Sequence, residues 1–166
     1  MSDILVQDVL STIVTYFGED AKRINHALKV YTFARNIALF EDLQGEIMMT
    51  LEISALLHDI GIKEAEKKYN SSAGNYQEQE GPAVALELLQ SFSLHSKALE
   101  RISYLIGNHH SYDKGNGMDF QILIEADFLV NIFEDKIEKS QVEIIKNKYF
   151  KTKRGLRYIN SMYLSE

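Results

Sequence analysis

Cysteine is missing from all 166 residues, which excludes disulfides and thiolate ligands and leaves any bound metal to histidine, aspartate, glutamate and water. Proline occurs once, at Pro82. The nine glycines form no tract with serine or proline, so neither a linker nor an internal repeat divides the chain. No apolar run is long enough to span a bilayer, and the opening MSDILVQDVLSTIV carries acids where a signal peptide carries bases. These absences predict a soluble, cytoplasmic protein without membrane partners. Positive charge is also scarce: 18 Lys and Arg stand against 24 Asp and Glu, and the net charge of −6 argues against sequence-independent binding of duplex nucleic acid. A small phosphate-bearing molecule fits that balance where local cations or a metal offset the global charge.

What is present is helical periodicity. With 45% hydrophobic and 25% charged residues, the chain is large enough for one core that buries roughly 70% of its unfolded surface. Apolar positions recur three and four apart with no hairpin signal, which predicts an all-α fold. One domain is expected over 1–166, with a core at about 20–135 and a helical extension at 136–166. Helices are expected at 3–17, closed by Gly18, at 20–40, and at 46–60, with Gly61 as the left-handed residue beyond the end. A polar loop NSSAGNYQEQ at 70–79 should precede a helix opening at Gly81-Pro82 and ending near Gln90. Ser93 is placed to cap a helix at 95–109, and further helices are expected at 119–135, 138–148 and 153–163.

Polar residues interrupt the apolar faces of these helices. His26 shares one side of its helix with Val30, Phe33 and Ile37, so it points inward. A lone inward histidine is most simply a core residue bonded to a backbone carbonyl. In LEISALLHDIGIK, however, His58 and Asp59 lie at the end of a strongly apolar helix, where two successive side chains can converge on one point. An acid at a helix C-terminus is electrostatically unfavourable without a positive neighbour. Asp127 shares a face with Phe120, Leu123 and Val130, and a carboxylate there needs a cation, whether a metal or a buried Arg or Lys. His109 continues the stripe of Leu99, Ile102 and Ile106, with His110 beside it, whereas His95 reads as a surface residue.

The order His26, His58-Asp59, Asp127 on successive helices resembles the HD superfamily of metal-dependent phosphohydrolases over nearly the whole chain. The resemblance implies a single HD-type helical bundle in which His26, His58, Asp59 and Asp127 ligate a divalent metal. His109 and His110 are similar to the extra histidines of members that hold two metals, with Asp59 as the bridge. Such members usually supply another histidine before the next helix; this chain has YQEQEGP there, and Glu80 is the residue that could substitute. HDIGIK is also similar to the HDIGK of HD-GYP cyclic-dinucleotide phosphodiesterases, but the lysine is displaced by one and the rest of that signature is missing. The paired acids that follow HD in guanosine-tetraphosphate hydrolases are absent as well.

Imidazole and carboxylate ligands suit Mn, Fe, Co, Ni or Zn, with one ion or two. The implied reaction is hydrolysis of a phosphomonoester or phosphodiester, such as a nucleotide, by a metal-activated water. Lys63 and Arg23 are the candidates for contacting substrate phosphate, against the simpler role of solvated helix-end cations; Lys114 is a further candidate. Tyr76, Tyr112 and the 70–79 segment could form a lid. The basic segment KNKYFKTKRGLR alternates cations with apolar residues and reads as a solvated amphipathic pair of helices, with a homodimer surface as another use. Two other functions share this pattern: a di-iron oxygenase of HD-type fold, and a non-catalytic, metal-stabilised sensing or interaction module.

Overall fold

A computed structural model describes residues 2–165. It is all-helical: α1 (Ser2–Phe17), α2 (Ala21–Phe40), α3 (Gly45–Leu57), α4 (Ile62–Tyr69), α5 (Gly74–Leu89), α6 (Ser96–Asn108), α7 (Met118–Glu134), α8 (Lys139–Tyr149) and α9 (Lys153–Ile159). A single 3-10 turn (Tyr112–Lys114) precedes α7, and a π turn (Asn160–Leu164) follows α9. No strand occurs among the described residues. None of their helices is long and apolar enough to cross a membrane.

Local chemistry explains several boundaries. Gly18, at φ +58°, closes α1 in the left-handed region that favours glycine. Asp20 caps α2 by accepting the Arg23 N–H at 3.2 Å, which satisfies one of the free donors of the first turn. Thr152 does the same for α9, accepting from Gly155 N at 2.9 Å.

Two apolar clusters fill the interior. The first joins Val30 and Ile37 of α2, Leu51 of α3, Leu105 of α6, and Phe120, Leu123 and Leu129 of α7. The second joins Val6 and Ile13 of α1, Ile53 and Leu57 of α3, Leu89 of α5, and Ile102 and Ile106 of α6. Helices α3 and α6 thus present one face to each cluster. α2 packs against α3 and α7, α5 against α6, and α8 and α9 against α7.

Four expectations are corrected. Gly61 is not left-handed; its φ is −73°. It is glycine because a Cβ there would lie 2.5 Å from Gly81 N and 2.6 Å from Gln77 O, where α5 crosses the chain. The residues after it form α4, whose one buried side chain is Ala65. α5 starts at Gly74, so most of the expected 70–79 loop is helix and Pro82 lies inside it. Contacts with α4 override the polar composition: Tyr76 stacks on Tyr69 at 4.3 Å, and the Tyr69 hydroxyl donates to Glu80 at 2.8 Å. Finally, His95 rather than Ser93 occupies the cap position of α6.

Candidate metal centre

α2 carries His26 into the interior, and α3, buried continuously from Thr50 to Leu57, delivers His58 and Asp59 in the turn immediately beyond its end. α7 supplies Asp127, and the exit of α6 supplies His109 and His110. The fold brings His26, His58 and Asp59 to one point, their ligand atoms all within 4.8 Å of one another, and sets Asp127 against the two histidines. His26 Nε2 lies 3.1 Å from His58 Nε2, 3.2 Å from Asp127 Oδ1 and 3.5 Å from Asp59 Oδ2. His58 Nε2 is 3.4 Å from Asp127 Oδ1 and 3.5 Å from Asp59 Oδ2. Donors about 2.1 Å from one ion sit roughly 3.0–3.4 Å apart at octahedral or tetrahedral angles, so these spacings suit a shared cation.

The far side of each ring fixes which nitrogen faces that point. His58 Nδ1 donates to the Ala55 carbonyl at 2.8 Å, and His109 Nδ1 donates to the Ile106 carbonyl at 2.8 Å. A carbonyl only accepts, so the proton of each neutral ring is on Nδ1 and its Nε2 lone pair points inward. His26 Nδ1 meets Glu134 Oε2 at 2.8 Å, and Lys29 Nζ holds the other oxygen of Glu134 at 2.5 Å. Asn131 Nδ2 donates to Asp127 Oδ1 at 2.9 Å. Contacts of this kind orient ligands where an ion is bound.

Charge makes the same demand. Burial pushes the His26 imidazole down, but its hydrogen bond to Asp127 and the charges of Asp127 and Asp59 outweigh burial and raise it to about 9. His58 is also raised, because Asp59 and Asp127 overcome its complete burial. Burial would raise both aspartates, yet the histidines hold them well below the usual carboxylate range. Asp127, buried, and Asp59, half-buried, therefore call for positive charge. The 3.1 Å gap between the two Nε2 atoms has room for one proton but not two; a divalent ion would balance both acids without that clash.

A second group adjoins the first. Asp59, His109 and His110 also place ligand atoms within 4.8 Å of one another. Asp59 Oδ1 lies 3.3 Å from His109 Nε2, while Asp59 Oδ2 faces His26 and His58. The Nε2 atoms of His109 and His110 are buried without a hydrogen-bond partner, which leaves two further lone pairs or N–H groups for a ligand. Burial, reinforced by the neighbouring His109, pushes the His110 imidazole down to about 4.

A sequence model of the HD domain matches residues 23–148. The chain belongs to the HD domain family. The crystal structure of a predicted HD superfamily hydrolase from an uncultured Thermotogales bacterium superposes with a TM-score of 0.68 at 22% identity, covering 95% of this chain and 84% of that one. That likeness shows the shared HD fold. No curated protein matches the chain. HD domains bind divalent metals, and the buried His/Asp group of this one could hold such an ion.

Other residues singled out from the sequence lie elsewhere in the HD fold. Glu80 is not drawn into the second group: Lys68 Nζ at 2.5 Å and the Tyr69 hydroxyl occupy its carboxylate. Arg23 spans Asp20 at 3.0 Å and Glu66 at 2.5 Å, and Lys63 Nζ donates to the Tyr16 carbonyl at 2.8 Å. Both cations therefore act as ties between helices. Lys114 is exposed on the 3-10 turn, and His95 pairs with Glu46 at the surface. Tyr76 is committed to its stack on Tyr69, whereas Tyr112 lines a cavity of about 410 Å³ beside His110.

The sequence reading missed Glu134, Asn131 and Glu78. Asn131 and Glu134 follow Asp127 by four and seven residues, one face of α7, and that spacing was the available signal. Glu78 accepts His110 N–H at 2.9 Å and the Ser111 hydroxyl at 3.0 Å, fixing the exit of α6. No local pattern announces it, because Glu78 is 32 residues from His110.

Proposed function

We propose that this HD-family chain is a metal-dependent phosphohydrolase that cleaves a small phosphomonoester or phosphodiester, a nucleotide among them, rather than acting on duplex nucleic acid. One observation carries the reading: His26 Nε2 and His58 Nε2 face each other at 3.1 Å, with the opposite nitrogen of each ring already committed to Glu134 or to the Ala55 carbonyl. Two imidazole lone pairs and the Asp59 carboxylate at one point, with Asp127 against both histidines, form a donor set for a cation. His26, His58, Asp59 and Asp127 would hold it, and such neutral-nitrogen and oxygen donors suit Mn, Fe, Co, Ni or Zn. When bound, a divalent ion supplies Lewis acidity toward a phosphoryl oxygen and lowers the pKa of water toward neutrality. The chain contributes orientation and dryness: Glu134 and Asn131 hold the ligands in place, and burial of His58 and His109 keeps bulk water from the inner wall.

The test is elemental analysis of purified protein followed by phosphate release from a panel of phosphomonoesters and phosphodiesters. At least one should be hydrolysed, with activity lost to a chelator, restored by metal and reduced at least about 1000-fold in His58→Ala. Stoichiometric metal with no phosphate release from any member of the panel would sink the reading.

One observation favours a second reading. Asp59 turns one oxygen to each of two adjacent donor groups, an arrangement that suits a dinuclear centre and hence a di-iron oxygenase. Oxygen consumption by protein loaded with ferrous iron, without phosphatase turnover, would select it.

A further inference from the structure

We propose that Lys148 and Lys151 bind a second anionic group of the substrate, which makes the preferred substrates small molecules with a phosphate or carboxylate beyond the phosphoryl group that is cleaved. This rests on the hydrolytic reading above. The cavity beside the cluster is lined by His110, Tyr112, Gln121 and Ile124 and also by Lys148 and Lys151, with about 410 Å³ of space. A second cavity of about 420 Å³ shares Tyr112, Gln121, Ile124 and Lys151 and adds Lys153. Together they form a cleft with cations along one wall.

These cations are free of acidic partners. Among the described residues Lys148, Lys151 and Lys153 have no carboxylate within 4.0 Å, as is true of Lys22, Lys63, Lys97, Lys114, Lys136 and Lys139, and what sets the three apart is that they line one cleft. Asp113 lines the first cavity and Glu41 the second, so three lysines face two acids in a chain whose net charge is −6. The cleft thus has a local excess of cations where the molecule as a whole has a deficit.

The lysine segment is also held firmly. Glu125, with no solvent exposure, accepts Lys151 N–H at 2.7 Å, Thr152 N–H at 3.0 Å, the Thr152 hydroxyl at 2.5 Å and Gln121 Nε2 at 2.6 Å. Gln121 also donates to the Tyr149 carbonyl at 2.7 Å. Gly155 must lack a side chain, because a Cβ there would sit 1.9 Å from Glu125 Oε2. Burying a carboxylate is costly unless hydrogen bonds compensate it. Here that compensation fixes residues 149–152 to α7 only two positions before Asp127. The backbone that carries Lys151 is thereby fixed against α7, while the Lys148 and Lys151 side chains stay exposed to a ligand.

The test uses the full-length, metal-replete protein and two matched pairs: fructose 1,6-bisphosphate with fructose 6-phosphate, and adenosine 3′,5′-bisphosphate with adenosine 5′-monophosphate. In at least one pair the parent should favour the bisphosphate about tenfold in kcat/KM, and Lys148→Gln/Lys151→Gln should abolish that preference through KM. Lys139→Gln, an exposed lysine outside the cleft, controls for the loss of charge. Equal kcat/KM within both pairs, or an equal loss on both members of each pair in the double variant, would overturn the proposal. Calorimetric binding of the same four compounds separates it from the hydrolytic reading. If no compound is turned over but bisphosphate binding weakens about tenfold in the double variant, the anion site stands independently of hydrolysis, which the wider panel decides. If bisphosphates bind parent and double variant alike, the anion site falls whatever the turnover.

Discussion

At the scale of the residue, the candidate centre is defined as much by what lies behind His26, His58, Asp59 and Asp127 as by those four side chains. His26 presents Nε2 inward because Glu134 takes its Nδ1, and Glu134 is itself pinned by Lys29. Glu134→Ala should therefore leave the fold intact and weaken metal binding by about 10–100-fold, as measured by chelator competition. Unchanged affinity would show that burial alone orients His26. The ligand candidates were legible in the sequence because polar residues on apolar faces are conspicuous: His26 beside Val30 and Ile37, and Asp127 beside Leu123 and Val130. Their supports show only as the spacing 127, 131 and 134 on one face of α7, because what they hold, His26, lies 108 residues away from Glu134. Arg23 and Lys63 are opaque to sequence for a related reason. Sequence places a cation near a motif, but only tertiary structure shows that Asp20, Glu66 and the Tyr16 carbonyl have claimed it.

At the scale of the element, most helices were readable from their 3.6-residue period and their stop signals. The exceptions cluster between 61 and 82, where two helices touch almost backbone to backbone. α4 has little apolar face of its own, and the first turns of α5 are helical because Tyr76 and Glu80 dock onto Tyr69 and Lys68. Tertiary contact there outweighs local propensity. Gly61 shows the principle most sharply, for its need is a spatial neighbour and not a backbone angle. Gly61→Ala forces a methyl group against Gly81 N and Gln77 O. The variant should lose about 1–3 kcal/mol in denaturant unfolding, with the shift in midpoint as the readout. An unchanged midpoint would mean that α5 can move aside at no cost. The adjoining His58-Asp59 turn should feel the same displacement as reduced metal affinity.

At the scale of the molecule, the donor set lies where helices serving both apolar clusters come together. α3 and α6 contribute to each cluster, and their ends carry His58, Asp59 and His109, while α2 and α7 bring His26 and Asp127. An ion held by His26, His58, Asp59 and Asp127 would join three helices, α2, α3 and α7, at once. Its removal should lower the thermal midpoint: saturation at 100 times Kd contributes about 2.7 kcal/mol, which in a domain of this size is roughly 5–10 °C. Scanning calorimetry with and without chelator reads this directly, and identical midpoints would show that the ion adds nothing to the folded state. The all-helical class was legible in the sequence at this scale, but the joint between the clusters was not, since it depends on crossings that no local pattern encodes.

α7 is buried along nearly its whole length and carries two dissimilar duties on one rod: Asp127 at the donor set, and Gln121 in the cleft below the lysines. Six residues separate them, about 9 Å along a helix axis. A rod of fixed pitch is a ruler. Because both marks stand on the same rod, a shift of α7 cannot move the donor set without moving the floor of the cleft by the same amount.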